Sequence, residues 1–174
     1  KNNQFGIVNA SGFKQIEGVE KIWDFSDGLA YAKKDGKLGF IDAKGNWVIK
    51  PQFDKARGFK SGLAPVFKDK KWGYVNTKGE VVIDFKYADA EVFSEDGLAP
   101  VKEGKLWGFI DKTGKMVIPA EYHITAGGFG LFNFQEKGFQ NGVVRVKKDK
   151  KWGFLNKEGA VIGKWYDNVE LFSK

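Results

Sequence analysis

The residues of this 174-residue chain give little support for acid–base or nucleophilic catalysis. His123 is the only histidine, and there is no cysteine to act as a thiol nucleophile or as a thiolate ligand of zinc. Asp167 and Glu170 could form a carboxylate pair, but nothing singles this pair out. The acidic positions also lack the dense spacing of a calcium loop. The sequence therefore predicts a protein that is not an enzyme, with no catalytic residue, no metal site and no cofactor.

The formal net charge is +7. Lysine carries almost all of the positive charge, because only Arg57 and Arg145 are arginines. A hydrated lysine ammonium suits phosphate and base recognition less well than the planar arginine fork, so nucleic-acid binding is disfavoured. Lysines cluster at predicted hairpin tips, where the candidate partner contacts are Lys70, Lys71, Lys105, Lys150 and Lys151. Aligned tips would form a positive row that could meet an acidic partner. The favoured alternative is that these lysines keep the protein soluble and protect sheet edges.

The elements that position these residues follow from a repeated five-residue motif: an aromatic or leucine, then Gly, an aromatic or aliphatic residue, an aliphatic residue, and Asp or Asn. Successive motif glycines are 33, 34, 35 and 45 residues apart, at Gly6, Gly39, Gly73, Gly108 and Gly153. A second glycine follows each of them by six residues. Such a period is typical of repeat proteins, whose units have too little core to fold alone and are stabilised by their neighbours.

Each repeat is predicted to contain three short strands, named A, B and C. In the third repeat they cover about Leu63–Lys68, Trp72–Asn76 and Glu80–Ile83. Prolines at positions 65 and 100 fall inside strand A, which predicts that this strand lies at a sheet edge.

Two turn signals separate these strands. Asp35-Gly36 between A and B is a strong type I′ hairpin signal, because both central residues of that turn need positive φ. Asp69-Lys70 and Asp149-Lys150 occupy the same place, where lysine adopts positive φ less readily than glycine does. Between B and C, an Asp or Asn three residues before a Gly predicts a turn in which the Asx side chain bonds the backbone.

An insertion interrupts the repeat over residues 123–138. Insertions in repeat proteins map to loops on one face, often the binding face. Its apolar residues either fold back as a local plug or present a contact patch; as candidate partner contacts they are Phe129, Leu131, Phe132 and Phe134. The stretch Gly127-Gly128-Phe129-Gly130 lacks the strand–turn–helix context of a phosphate loop, so nucleotide binding is not predicted.

These motifs resemble the WG repeat family, also called KWG repeats. Lys71–Asn76 and Lys151–Asn156 match its Lys-Trp-Gly-Phe/Tyr-Ile-Asp core nearly residue by residue. Leu106–Asp111 with Met116–Pro119 also matches, apart from Leu in place of Lys, whereas the first two copies have Phe5 and Leu38 instead of Trp. The resemblance spans nearly the whole chain. It implies a bacterial β-rich repeat module attached to varied partners, and it implies no defined reaction.

The predicted fold is all-β, a tandem array of about five three-stranded antiparallel β-meander repeats in a single domain. An open curved stack is preferred, and propeller-like closure is the alternative. The repeats are placed at about 1–24, 25–58, 59–92, 93–138 and 139–174, and the array is incomplete at both ends.

The predicted function is a non-enzymatic binding or assembly module for protein–protein interaction, and an acidic protein is one partner type. The alternative is a glycan-binding domain of the bacterial cell envelope that uses exposed aromatic faces, and burial of the repeat tryptophans would remove this alternative. A location in the envelope or outside the cell is favoured over the cytoplasm. No apolar stretch reaches the ~20 residues that a membrane span needs.

Overall fold

The protein is described by a computed structural model that covers residues 5–10, 12–124 and 137–167. In these ranges the chain forms β-strands and turns and contains no helix, and therefore none long and apolar enough to cross a membrane. The strands in chain order are β1 (Gly6–Asn9), β2 (Gly12–Gln15), β3 (Val19–Ile22), β4 (Leu29–Lys34), β5 (Lys37–Asp42), β6 (Trp47–Phe53), β7 (Lys55–Ala56), β8 (Leu63–Lys68), β9 (Lys71–Asn76), β10 (Val81–Tyr87), β11 (Asp89–Ala90), β12 (Ala99–Glu103), β13 (Leu106–Ile110), β14 (Met116–Tyr122), β15 (Val144–Lys148) and β16 (Lys151–Leu155).

These strands form small antiparallel meanders, so the all-β prediction is confirmed. Three sheets have four strands, with the orders β3-β4-β5-β6, β7-β8-β9-β10 and β11-β12-β13-β14. The pairs β1-β2 and β15-β16 form two-stranded sheets, and no sheet of the described residues closes into a barrel. The chain divides into two compact parts, residues 1–86 and 87–174. Buried apolar side chains form clusters in each of the two parts.

Strands A, B and C are present, but each complete sheet has a fourth strand that the sequence analysis missed. The short strands β3, β7 and β11 pair with the outer side of strand A, so the prediction that strand A lies at an edge was wrong. The prolines are compatible with this position because they contribute carbonyl oxygens. Pro65 accepts a hydrogen bond from the Arg57 N–H at 3.0 Å, and Pro100 accepts one from the Glu91 N–H at 3.0 Å. Neither bond needs a proline N–H.

The motif glycine is required by a close backbone approach between strands B and C. In the second repeat Leu38 pairs with Phe53 and Phe40 with Ile49, so Gly39 faces a bulged stretch of strand C. A Cβ on Gly39 would lie 2.4 Å from the Ile49 carbonyl oxygen, and one on Gly108 would lie 2.5 Å from that of Ile118. No side chain fits at that distance, which explains why this motif position is invariant within the chain.

The turn between strands B and C has the predicted Asx geometry. The Asp42 Oδ1 atom accepts hydrogen bonds from the N–H groups of Lys44 and Asn46, both at 2.9 Å, and Gly45 closes the turn with φ of 78°. Asn76, Asp111 and Asn156 accept equivalent bonds in their own turns. The Asn46 N–H holds the pKa of the Asp42 carboxyl below its ordinary value, and the Thr113 hydroxyl does the same for Asp111.

Neighbouring repeats share their cores through these turns. A Cβ on Gly79 would lie 3.2 Å from the buried Ile49 side chain of the preceding repeat. The same contact joins Gly45 to Ile16 and Gly159 to Ile118. Aromatic side chains add a second contact between repeats, since the Phe40 ring meets the Phe59 ring edge-on at 4.7 Å and Phe109 meets Phe139 at 5.0 Å.

We expect Gly39→Ala to lower the free energy of unfolding by about 2 kcal/mol or more, because the new methyl group collides with backbone that cannot move without breaking the sheet. Gly58→Ala is the matched control, since a Cβ there meets only the Ser26 Cβ at an ordinary 3.7 Å. Urea titration of both variants checks this. Equal stability of the two variants would contradict the explanation given for the motif glycine.

Acid should destabilise the protein partly through Asp42 and Asp111. Their pKa values are lower in the folded chain than in the unfolded chain, so the unfolded state binds more protons between the two values. The stability that these two carboxylates contribute is therefore present above about pH 4 and is lost as the pH falls through their folded-state pKa values. The double variant Asp42→Asn/Asp111→Asn keeps the acceptor oxygen but does not titrate. Its thermal midpoint should fall less between pH 5 and pH 2 than that of the original protein, whereas parallel curves would exclude these carboxylates as a cause.

Candidate functional site

Two hairpin tips hold a lysine in a backbone conformation that favours glycine. The β4–β5 tip is formed by Asp35 and Gly36, with φ of 50° and 75°. In the β8–β9 tip the second residue is Lys70 with φ of 64°, and in the β15–β16 tip it is Lys150 with φ of 66°. Left-handed conformation costs a residue with a Cβ about 1 kcal/mol, so these two lysines are held at a cost in stability.

The β12–β13 tip avoids this strain. Gly104 takes the first position with φ of 58°, which is the glycine placement of a type II′ turn. Lys105 follows it and is not in the left-handed region. The hairpin prediction is therefore confirmed, with a different turn residue carrying the positive φ in different repeats.

The tip lysines are Lys70, Lys71, Lys105, Lys150 and Lys151, and all five are exposed. Lys151 lies 3.7 Å from Asp167. Within the described ranges the other four have no ion pair, whereas three nearby lysines are paired, namely Lys33 with Glu20, Lys37 with Asp54 and Lys148 with Glu121. The lysines of the predicted positive tips therefore differ in pairing, and four of the five candidates have no ion pair in the part of the chain that the structure describes.

An open cleft lies beside the β15–β16 tip, and we call it the His123 cleft. Its two lobes have volumes of about 450 and 520 Å³ and are lined by Leu106, Glu121, His123, Lys147, Lys148, Asp149 and Lys150. The backbone of His123 is fixed by two hydrogen bonds with Lys147, at 2.8 and 2.9 Å. The hydrogen bond to Glu121 raises the pKa of Lys148, so this ammonium stays charged.

Sequence reasoning treated His123 as an isolated histidine and missed the cleft. The cleft forms because His123 pairs with Lys147, which is 24 positions further along the chain, beyond the insertion. The clue was positional. His123 follows strand C directly, as Asp54 and Ala88 do in the preceding repeats, where their N–H groups bond to strand A just before β7 and β11 begin, so the equivalent position would have predicted its pairing with strand A.

The repeat tryptophans do not provide sugar-stacking platforms. Trp72 and Trp107 are only 5% and 6% exposed. The Arg57 guanidinium lies 4.8 Å from the Trp72 ring centre, and the Lys137 ammonium lies 5.1 Å from that of Trp107. Trp152 is half-buried, with Arg145 at 4.8 Å. The glycan alternative therefore loses the flat exposed surfaces that it required at Trp72 and Trp107.

The remaining candidate residues from the sequence lie either outside the described residues or on the surface. The insertion residues Phe129, Leu131, Phe132 and Phe134 lie outside the described residues, as does Glu170. Asp167 is exposed and contacts Lys151. Over the described ranges no three His, Cys, Asp or Glu side chains are grouped so that they could hold a metal ion.

Replacing Lys70 by glycine should stabilise the fold by about 0.5–1 kcal/mol, because it removes the left-handed strain at the tip. Lys71→Gly is the matched control: it removes the same charge from the adjacent position inside β9, where glycine weakens a strand. Urea unfolding of the two variants should show changes of opposite sign. A loss of stability in Lys70→Gly would mean that the lysine side chain stabilises the tip.

A protein-family model described as WG containing repeat matches residues 19–37, 39–72, 72–107, 107–124 and 137–152. No curated protein matches the chain. Among solved structures, the chain is similar to the extracellular domain of a proposed one component system from B. thetaiotaomicron, with 13% sequence identity and a TM-score of 0.48. That likeness covers 94% of this chain and 26% of the other.

Proposed function

Because the chain belongs to the WG repeat family, we propose that it is a non-catalytic binding module that contacts an acidic protein partner through its tip lysines. The single observation that carries this proposal is the left-handed backbone of Lys70 and Lys150. Glycine would relax both turns, and the β4–β5 hairpin of the same chain has glycine at that position. A residue kept in a costly conformation is an indication of function.

Charge supports the same conclusion. Lys70 and Lys71 are adjacent and exposed, and neither is paired with a carboxylate among the described residues. The hairpin fixes the backbone positions of these two lysines, and their ammonium groups remain open to a ligand. They attract acidic surfaces over about 8–10 Å at physiological salt, and this attraction raises the rate of association.

The His123 cleft gives the β15–β16 tip a concave surface beside its charge. Lys147 and Lys150 line the same lobe as His123 and Asp149, so a carboxylate-bearing segment entering the lobe would meet two ammonium groups and one carboxylate. Phe129, Leu131, Phe132 and Phe134 belong to the segment that follows Ile124 directly, and we include them as the apolar part of the proposed contact surface.

Charge reversal tests the tip lysines. The variant Lys70→Glu/Lys150→Glu is compared with Lys78→Glu/Lys157→Glu, which makes the same change in net charge at exposed positions of the B–C turns. Binding of fluorescein-labelled poly-L-glutamate is measured by anisotropy at several NaCl concentrations. We expect the tip variant to bind at least tenfold more weakly than the control and to depend less steeply on salt. Equal weakening of both variants would show that only net charge matters and would refute the proposal.

Lys70→Gly/Lys150→Gly provides an independent check, since it should bind more weakly although its fold is more stable. Unchanged binding in this variant would remove the functional explanation of the strained turns.

The apolar part of the proposed contact surface is tested separately by replacing the four insertion residues with serine. This variant should bind a glutamate-rich peptide that also contains phenylalanine more weakly, and its binding of poly-L-glutamate should be unchanged.

A further inference from the structure

The lysines of the β8–β9 tip differ from those of the other tips in their ion pairing. In each A–B hairpin the last residue of strand A lies directly opposite the first residue of strand B. These facing pairs are Lys34 with Lys37, Lys68 with Lys71, Glu103 with Leu106, and Lys148 with Lys151. Like charges directly opposite each other destabilise a sheet. Carboxylates near the facing lysines therefore decide how much positive charge each tip leaves for a ligand.

The second and fifth repeats supply such carboxylates from within the chain. The ion pairs are Lys37 with Asp54, Lys148 with Glu121, and Lys151 with Asp167. The carboxylates come from two positions of the repeat. One is the next-to-last residue of strand C, where Glu121 lies in β14, and the other directly follows strand C, where Asp54 lies after β6.

The third and fifth repeats hold strand A in the same register against the chain that follows the preceding strand C. The Asp54 N–H donates to the Phe67 carbonyl oxygen at 2.9 Å, and the His123 N–H donates to the Lys147 carbonyl oxygen at 2.8 Å. The residue after each acceptor is the last residue of strand A. Two positions before each donor is the next-to-last residue of strand C. This shared register brings the same two positions together in both repeats.

The third repeat has a neutral side chain where the fifth repeat has a carboxylate. In the fifth repeat these two positions are Lys148 and Glu121, whose charged groups lie 2.5 Å apart. In the third repeat they are Lys68 and Gln52, and Gln52 is exposed. An amide cannot offset the charge of an ammonium group. The charge of Lys68 is therefore left uncompensated by the position that compensates Lys148.

The second carboxylate position is also neutral in the third repeat. Ala88 directly follows β10, at the place that Asp54 takes after β6. Within the described ranges Lys68, Lys70 and Lys71 have no ion pair, unlike the facing lysines of the fifth repeat. The aspartate of the turn itself does not account for this difference, because the second and fifth repeats have an aspartate there too. The excess of positive charge at this tip follows from the residue types at two positions of the repeat.

We infer that the β8–β9 tip is the preferred contact of an acidic partner, and that Gln52 determines this preference by leaving Lys68 unpaired. The inference rests on the proposed function and adds which tip is preferred and which residue decides it. Lys68 and Lys71 face each other with their Cβ atoms about 5 Å apart. The partner segment should therefore carry at least two neighbouring carboxylates, which take the places of the two that the third repeat lacks.

Gln52→Glu tests the role of Gln52, because it gives Lys68 the carboxylate that Glu121 gives Lys148. Thr77→Glu is the matched control. It makes the same change in net charge at an exposed position of the B–C turn, beyond the opposite end of β9 from Lys71. Binding of labelled poly-L-glutamate is measured by anisotropy at low salt. We expect Gln52→Glu to bind about threefold more weakly than the control, the size of effect that one exposed ion pair produces. Equal binding of the two variants would overturn the inference.

The reciprocal change should strengthen the fifth tip. Glu121→Gln releases Lys148 from its ion pair, and its control Glu158→Gln removes the same charge from an exposed position of a B–C turn. We expect Glu121→Gln to bind poly-L-glutamate about threefold more tightly than the control. Binding no tighter than that of the control would contradict the assigned role of the strand C carboxylate.

Single charge reversals separate this inference from the proposed function. Lys70→Glu alone should weaken binding of poly-L-glutamate more than Lys150→Glu alone. In the exchanged background Gln52→Glu/Glu121→Gln the order should reverse. If Lys70→Glu/Lys150→Glu weakens binding but the two single variants weaken it equally, the proposed function stands and this inference is wrong. If the double variant binds like its control, both are wrong.

Discussion

The contact on which the fold depends is the seating of a turn glycine on a buried isoleucine of the preceding repeat. It recurs as Gly45 on Ile16, Gly79 on Ile49 and Gly159 on Ile118. A sheet of four short strands buries too little apolar surface by itself, so each isoleucine is covered partly by its own sheet and partly by the next repeat. The turn can approach so closely only because its glycine has no side chain and has a left-handed backbone. The left-handed backbone conformation and the close packing therefore both favour glycine at this position.

The second constraint is the close passage of strand C beside the motif glycine. The three-residue bulge opposite Gly39 realigns strand C so that Phe53 faces Leu38. Strand C then ends at that aromatic, and the chain continues after one residue into β7, the first strand of the next sheet. The Trp-Gly pair of the later repeats serves side-chain packing and close backbone approach together. The Trp packs beneath cationic side chains, and the Gly leaves room for the neighbouring backbone.

These constraints make the interior of each repeat intolerant of change and leave the hairpin tips to vary. The tips contribute little to the core, and they differ from repeat to repeat in the residue that takes positive φ. A rigid scaffold that carries variable, charged turns is a common arrangement for recognition, because the ligand-contacting groups are positioned without being part of the core. The burial of Trp72 and Trp107 follows from the same division, because these two side chains pack in the core.

Local chemistry was enough to predict the strands A, B and C, the hairpins at Asp35-Gly36 and Asp69-Lys70, and the Asx turns at Asp42 and Asn76, since each depends on residues within a few positions of one another. Phe40 and Phe109, which occupy the same position of the repeated motif, are both fully buried. The short strands β7 and β11 were not predicted, because two-residue strands have no hydrophobic period and exist only through pairing with strand A. The His123 cleft was likewise decided by tertiary structure. It needs a backbone pairing between His123 and Lys147 across the insertion, so it is not encoded in any local stretch of residues.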